Sequence, residues 1–194
     1  MIYHRRHLPH YYPIGQPLFL TWSLDGSIPE GRHFLSRCTE GQAFVAMDRL
    51  LDTARSGPLY LRQPEIAQMV VEALHYRKDQ AEYDLHNYVV MANHVHLLIT
   101  PRVDVSRLMH SLKRFTAREG NRMLGLTGQP FWQHESYDRA VRSADEFRKI
   151  AGYIEMNPVN AGLVASPCEF AWSSAGADYQ SAARCHLAPH SRDA

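Results

Sequence analysis

Two histidines one residue apart, His94 and His96, open an apolar, β-branched run that closes at Thr100-Pro101. On a strand, positions i and i+2 share a face, so the two imidazoles would stand side by side. A pair of neutral imidazoles on a rigid strand is half of a divalent-metal site. The spacing is weak on its own: 12 histidines in 194 residues give roughly 0.7 such pairs by chance. What other elements bring to that face must decide its use.

The last predicted helix is the natural source of partners. Ser143-Ala144-Asp145-Glu146 reads as a capping box, in which the serine and the glutamate satisfy each other's backbone donors. Phe147, Ile150, Ala151 and Ile154 then form a buried stripe. Tyr153 and Asn157 fall about 40° apart at the edge of that stripe. Packed on the histidine strand, they would add a phenol and an amide oxygen to one site. Two imidazoles and one amide oxygen leave positions open, as Mg²⁺ or Mn²⁺ chemistry requires. An ordinary boundary tyrosine and a C-terminal cap before Pro158 have the same spacing, and both readings stand. The helix is expected to end near Asn157, because Pro158 disfavours helical geometry in the residue before it.

A second signal lies on the helix predicted over Asp104 to Leu124. Arg107, Arg114, Arg118 and Arg122 fall within roughly 80° of one another, with Leu108, Leu112, Phe115 and Met123 opposite. Such a stripe suits a phosphate backbone, and a solvated basic face has the same pattern. Near the N-terminus, Arg5 and Arg6 stand among Tyr3, His4, His7, Tyr11 and Tyr12. Cations mixed with aromatics suit stacking on unpaired bases, and a disordered leader would look alike.

The elements that position these groups follow from periodicity. Leu18 to Leu24 reads as a strand, Gly41 to Arg55 as a helix, and Gln63-Pro64-Glu65 opens a helix to about Lys78. Leu85 to Met91 and His94 to Thr100 read as two strands joined at Ala92-Asn93, and Gln133 to Val141 as a further strand. Strands mixed with helices, including an adjacent strand pair, indicate an α+β sandwich with helices on an antiparallel sheet. The organisation expected is an N-terminal basic and aromatic arm over 1–17, one domain over 18–174 and a flexible tail over 175–194. Forty-five percent hydrophobic residues suffice for a real core, and a net charge of +1 says little without its distribution. Three dispersed cysteines fit a reducing compartment, and no apolar run approaches a membrane span, so a cytoplasmic location is expected.

Other chemistries find no support. There is no glycine-rich phosphate loop and no Gly-x-Ser-x-Gly elbow. A histidine-triad hydrolase would need a third histidine where this chain has Leu98. No helix carries two histidines at i and i+4 with a glutamate between them, as a zinc protease would.

Taken together, these residues carry a family likeness. Tyr88-Val89-Val90-Met91-Ala92-Asn93-His94-Val95-His96-Leu97-Leu98 resembles the His-hydrophobe-His motif of single-tyrosine HUH transposases. Tyr153-Ile154-Glu155-Met156-Asn157-Pro158-Val159-Asn160-Ala161-Gly162-Leu163-Val164 is similar to the tyrosine segment of REP-associated tyrosine transposases, within the IS200-like group. Ser111 to Arg118, Gln129 to Gln133 and Ala171 to Ser174 support it, and the likeness runs collinearly from about His7 to Ser174. Ala92 stands where a proline is usual, and Phe170-Ala171 where Trp-Pro is usual.

The resemblance implies a ferredoxin-like (RRM-like) HUH core with the histidines on a central strand and the tyrosine on a later helix. It implies His94, His96 and Asn157 as ligands of Mg²⁺ or Mn²⁺. Tyr153 becomes the nucleophile that cuts and rejoins single-stranded or hairpin DNA through a 5′-phosphotyrosine. Tyr137, in a predicted strand with no amide at i+4, is the rival nucleophile. The arginines at 5, 6, 107, 114, 118 and 122 become candidate DNA contacts for a nucleoid-associated monomer or homodimer. A domesticated protein that binds repeat hairpins without cutting them is the alternative, and a metal-dependent phosphodiesterase is a third reading.

Overall fold

In a computed structural model, the described residues are 14–27, 51, 57–134 and 136–176. The helix expected over 41–55 except Leu51, most of the arm over 1–17 and nearly all of the tail over 175–194 lie outside them.

Four strands form one antiparallel sheet: β1 (Leu18–Ser23), β2 (Tyr83–Val90), β3 (His94–Pro101) and β4 (Tyr137–Ala140), in the order β2-β3-β1-β4. Helix α1 (Pro64–Asp79) connects β1 side to β2, α2 (Val105–Leu124) connects β3 to β4, and α3 (Ala144–Asn160) follows β4. This is the ferredoxin-like arrangement expected, with β3 and β1 at the centre.

Helices cover both faces of the sheet. Leu18, Leu20, Trp22, Val95, Leu97 and Ile99 point into one core, against α1 and α2. Phe19, Val89, Met91 and Leu98 point the other way, against Ile154 of α3. All six residues of β1 are therefore buried, which is why its sequence runs apolar rather than alternating. His94 and His96 share the parity of Leu98 and so lie on the α3 side.

The structure departs from the sequence reading in four places. Helix α3 passes through Pro158 to Asn160, so Asn157 is a helical residue and not a cap. A proline forfeits one N–H bond. The carbonyls of Asn157, Pro158 and Val159 are taken by the N–H groups of Ala161, Leu163 and Gly162 at 2.9–3.0 Å. The last strand is confined to Tyr137–Ala140: Gln133 N–H still donates to the Ser23 carbonyl at 2.9 Å, but the Gln133 and His134 carbonyls accept from Lys113 Nζ at 2.6 and 3.3 Å. Only half of the capping box forms. Ser143 Oγ accepts from the Glu146 N–H, while the Glu146 carboxylate accepts from the N–H of Arg142. On α2, Phe115 and Met123 are 41% and 40% exposed, and Thr116 and Gly120 take the core face instead. Gly120 is required there, since a Cβ would stand 2.6 Å from the ring of buried Phe131.

The Trp172-Ser173-Ser174 stretch covers the outer edge of β2. Val90 N–H donates to the Trp172 carbonyl at 2.8 Å, and Ser174 Oγ accepts from the Tyr88 N–H. An otherwise open row of backbone groups is thereby paired.

Candidate metal and nucleophile site

The tight connection between β2 and β3 sets the histidine pair. Met91 N–H donates to the His94 carbonyl at 2.9 Å, and the Asn93 carbonyl accepts from Leu24 N–H at 2.8 Å, tying the turn to the end of β1. From there His94 and His96 project to the α3 side, both fully buried. Their Nε2 atoms are 3.1 Å apart and their rings 4.7 Å apart at 72°. Each ring is also held from behind. His94 Nδ1 lies 2.7 Å from Asn93 Oδ1, and His96 Nδ1 lies 2.7 Å from Thr21 Oγ1.

The aromatic groups around the pair come from β1, β4 and α3. Phe19 stacks on His96, with centroids 5.6 Å apart and planes at 28°. Tyr153 meets His96 edge-on, 5.5 Å away, and meets Phe19 at 6.3 Å. Tyr137 reaches Phe19 at 6.2 Å. Its oxygen also faces Arg139, and that contact, with the Glu146 carboxylate, pushes the guanidinium pKa further up. Asn157, one turn beyond Tyr153, is 1% exposed, and its Oδ1 has no hydrogen-bond partner among the described residues.

Two imidazole nitrogens and a buried amide oxygen are donors that a divalent cation can take together. Octahedral ligands about 2.1 Å from a metal and at right angles to one another are roughly 3.0 Å apart, close to the 3.1 Å between the two Nε2 atoms. A buried amide oxygen without a donor costs free energy unless something positive meets it. No cluster of three or more His, Cys, Asp or Glu side chains gathers among the described residues. Among the described residues, Asn157 Oδ1 is a buried neutral oxygen one helical turn from Tyr153, the residue whose ring meets His96.

A family model described as "Transposase IS200 like" matches residues 60–157, half of the chain. This chain belongs to the IS200-like transposase family. The matched span contains His94, His96, Tyr153 and Asn157, and the resemblance read from the sequence is borne out. Among solved structures, a REP-associated tyrosine transposase bound to a REP hairpin is similar over 97% of this chain and 89% of its own. The identity is 20% and the TM-score 0.58, a likeness of fold. A candidate transposase from Deinococcus radiodurans R1 aligns over 81% of this chain and 98% of its own, at 18% identity and a TM-score of 0.43. No curated protein matches.

Within this IS200-like fold the sequence-predicted residues fall into two groups. His94, His96, Tyr153 and Asn157 occupy one side of the sheet. Arg107, Arg114, Arg118 and Arg122 lie exposed on α2, on the opposite side. Arg118 and Arg122 both pair with Glu119, at 3.0 and 2.9 Å, and these bonds draw the carboxyl below its usual range. Arg118 also lies over the Phe115 ring at 5.7 Å. Arg114 borders a groove of about 540 Å³ between α2 and the 129–136 segment, with His110, Lys113, Pro130 and His134. Arg5 and Arg6 lie outside the described residues. No helix of the described residues is long and apolar enough to cross a membrane.

Two site residues escaped the sequence reading, Thr21 and Asn93. Asn93 adjoins the histidine motif, and Thr21 shares the alternation of Phe19 on β1. Neither signal is specific without knowing that β1 pairs Thr21 with His96.

Proposed function

We propose that this protein is a single-tyrosine DNA strand transferase, with His94, His96 and Asn157 as ligands of Mg²⁺ or Mn²⁺ and Tyr153 as nucleophile. The observation that carries the reading is the convergence of two Nε2 atoms 3.1 Å apart with Tyr153 5.5 Å from His96. When bound, the cation would polarise the scissile phosphate and offset charge on its non-bridging oxygens.

The chain's own residues supply the rest. The Tyr153 oxygen attacks phosphorus, its proton leaving to solvent. A tyrosine–phosphorus bond forms while the bond to the 3′ oxygen breaks, and that oxygen takes a proton from solvent and departs as a free 3′-hydroxyl. One phosphodiester is exchanged for another, so attack by a 3′-hydroxyl reverses the step and rejoins DNA without ATP. Phe19 restricts both reacting rings through its contacts with His96 and Tyr153. The two histidines are fully buried, so DNA reaches them only when the residues covering them move aside. The structural neighbour that holds a REP hairpin supports hairpin or single-stranded DNA as the partner. The exposed arginines of α2 suit its phosphates.

The test is a labelled single-stranded hairpin incubated with the full chain and Mn²⁺ or Mg²⁺. A covalent protein–DNA adduct is expected, retained in Tyr137→Phe and lost in Tyr153→Phe. The reverse pattern overturns the nucleophile. Tight hairpin binding with no adduct under either metal indicates the non-cleaving DNA-binding protein instead. Released 5′-phosphate ends without trapped protein indicate a phosphodiesterase.

A further inference from the structure

The two histidines are held by chemically different partners, and the difference assigns their protons. Asn93 is 2% exposed and its amide is oriented without ambiguity, because Nδ2 donates to the Leu51 carbonyl at 3.0 Å. Its Oδ1 therefore faces His94 Nδ1 at 2.7 Å. A carbonyl oxygen only accepts, so His94 Nδ1 carries the proton and a neutral His94 ring leaves a lone pair on Nε2. His96 Nδ1 instead meets the hydroxyl of Thr21 at 2.7 Å, in a contact buried on β1. A hydroxyl can donate or accept.

The 3.1 Å between the Nε2 atoms serves two arrangements. As a hydrogen bond it needs His96 Nε2–H to donate to the lone pair of His94, with His96 Nδ1 accepting from the Thr21 hydroxyl. As a pair of cation ligands it needs lone pairs on both Nε2 atoms, with His96 Nδ1–H donating to Thr21 Oγ1. His94 is the same in both. We propose that Asn93 and Thr21 are positioning residues with divided tasks. Asn93 holds His94 in its ligating tautomer throughout, while Thr21 lets His96 exchange tautomers, so that the pair bonds to itself or opens to a cation.

The exchange conserves protons. When the residues covering the pair move aside, water takes the proton from Nε2 of His96, the Thr21 hydroxyl passes its own to Nδ1 and regains one from water, and the ring stays neutral. The Thr21 hydroxyl turns from donor to acceptor. Through the Asn93 amide the ligating geometry is also tied to the backbone at Leu51, beside a cavity of about 170 Å³ that Asn93, His94 and Arg62 help to line. The exchange rests on the reading of His94 and His96 as ligands, whereas the metal-free tautomers do not.

The experiment is long-range ¹H–¹⁵N NMR of the full chain labelled at histidine, without metal and then with Zn²⁺ as a diamagnetic probe. Without metal, His94 is expected as the Nδ1–H tautomer and His96 as Nε2–H. With Zn²⁺, His94 keeps its tautomer and His96 changes to Nδ1–H. His94 found as Nε2–H, or His96 already Nδ1–H without metal, overturns the division of tasks. Zn²⁺ that leaves both rings unmoved overturns the ligand reading and the exchange with it, while the metal-free tautomers are judged separately. Thr21→Val, close in shape, should lower metal affinity about 10–100-fold, the usual effect of losing a ligand's hydrogen-bond partner, and Thr21→Ser should restore it. Unchanged affinity in Thr21→Val overturns the role of the hydroxyl.

Discussion

The rings of His96 and Tyr153 lie 5.5 Å apart at 65°, with Phe19 in contact with both. The strand fixes one ring and the helix the other, so their relation depends on the layer between β1 and α3. Phe19→Leu keeps an apolar side chain but removes the flat surface against which His96 stacks. The expected outcome is an adduct formed up to ~10²-fold more slowly, as misplaced reacting groups are, with metal affinity retained. Wild-type adduct rates in Phe19→Leu would show that Phe19 only fills space.

Asn157 sets function against stability. Its buried Oδ1 has no hydrogen-bond partner among the described residues, and such a group costs about 1–3 kcal/mol. Asn157→Leu is therefore expected to hold or raise the thermal midpoint while abolishing metal-dependent adduct formation. Full adduct yield in this variant would remove Asn157 from the ligand set.

The arginines of α2 lie across the sheet from the histidines, so binding and cutting should separate. Arg114→Ala is expected to lower the salt dependence of DNA binding by about 0.7–0.9 in log–log slope, the effect of one phosphate contact. Adduct formation at saturating DNA should be unchanged. Glu119→Gln releases Arg118 and Arg122 from their shared carboxylate and should tighten binding. Unaltered affinity and slope in both variants would make the stripe a solvated face.

Gly120 is a packing requirement rather than a flexible point. In Gly120→Ala the new methyl meets Phe131, a ring that is 2% exposed and packed on Tyr60 and Trp132. Overpacking of this kind costs about 1–3 kcal/mol. Denaturant unfolding reads it directly, and an unchanged midpoint would mean that the Phe131 segment shifts freely.

His75 should couple stability to pH. Burial first, and then Lys78, hold its pKa below the ordinary 6.5, while Asp79 opposes them. The folded protein thus prefers the neutral ring, and the unfolded chain binds more protons as pH falls through 6.5. This contribution is complete above 6.5 and is lost as pH drops toward the lowered folded value. Denaturation midpoints measured between about pH 7.5 and about pH 5.5 should fall less steeply in His75→Gln than in the parent. Equal slopes would show that His75 is solvated in the folded state.

Most elements were legible because their signals are local. Pro64 at the first turn of α1 and Asp104 capping α2 act within a few residues of themselves, and both begin helices as read. The reading failed where a distant group overrode the local rule. Helix α3 runs on through Pro158, and the carbonyls of Asn157, Pro158 and Val159 accept from the residues that follow. Gln133 keeps its N–H on the Ser23 carbonyl of β1 but turns its own carbonyl to Lys113 of α2, and the ladder breaks off there. Phe115 is exposed while Thr116 and Gly120 hold the core face, with Phe131 packed directly on Gly120.

By itself the sequence determined the family, the strand that carries two imidazoles on one face, and the helix that carries Tyr153 and Asn157. Those properties follow from periodicity and residue type, which are written along the chain. Only the tertiary structure decided that α3 packs on the histidine side while the arginine stripe of α2 lies on the other. It also decided that Asn93 and Thr21 stand behind the two rings. The physical reason is that sheet order and strand register set which faces meet, and a proton's place on an imidazole depends on the atom opposite it.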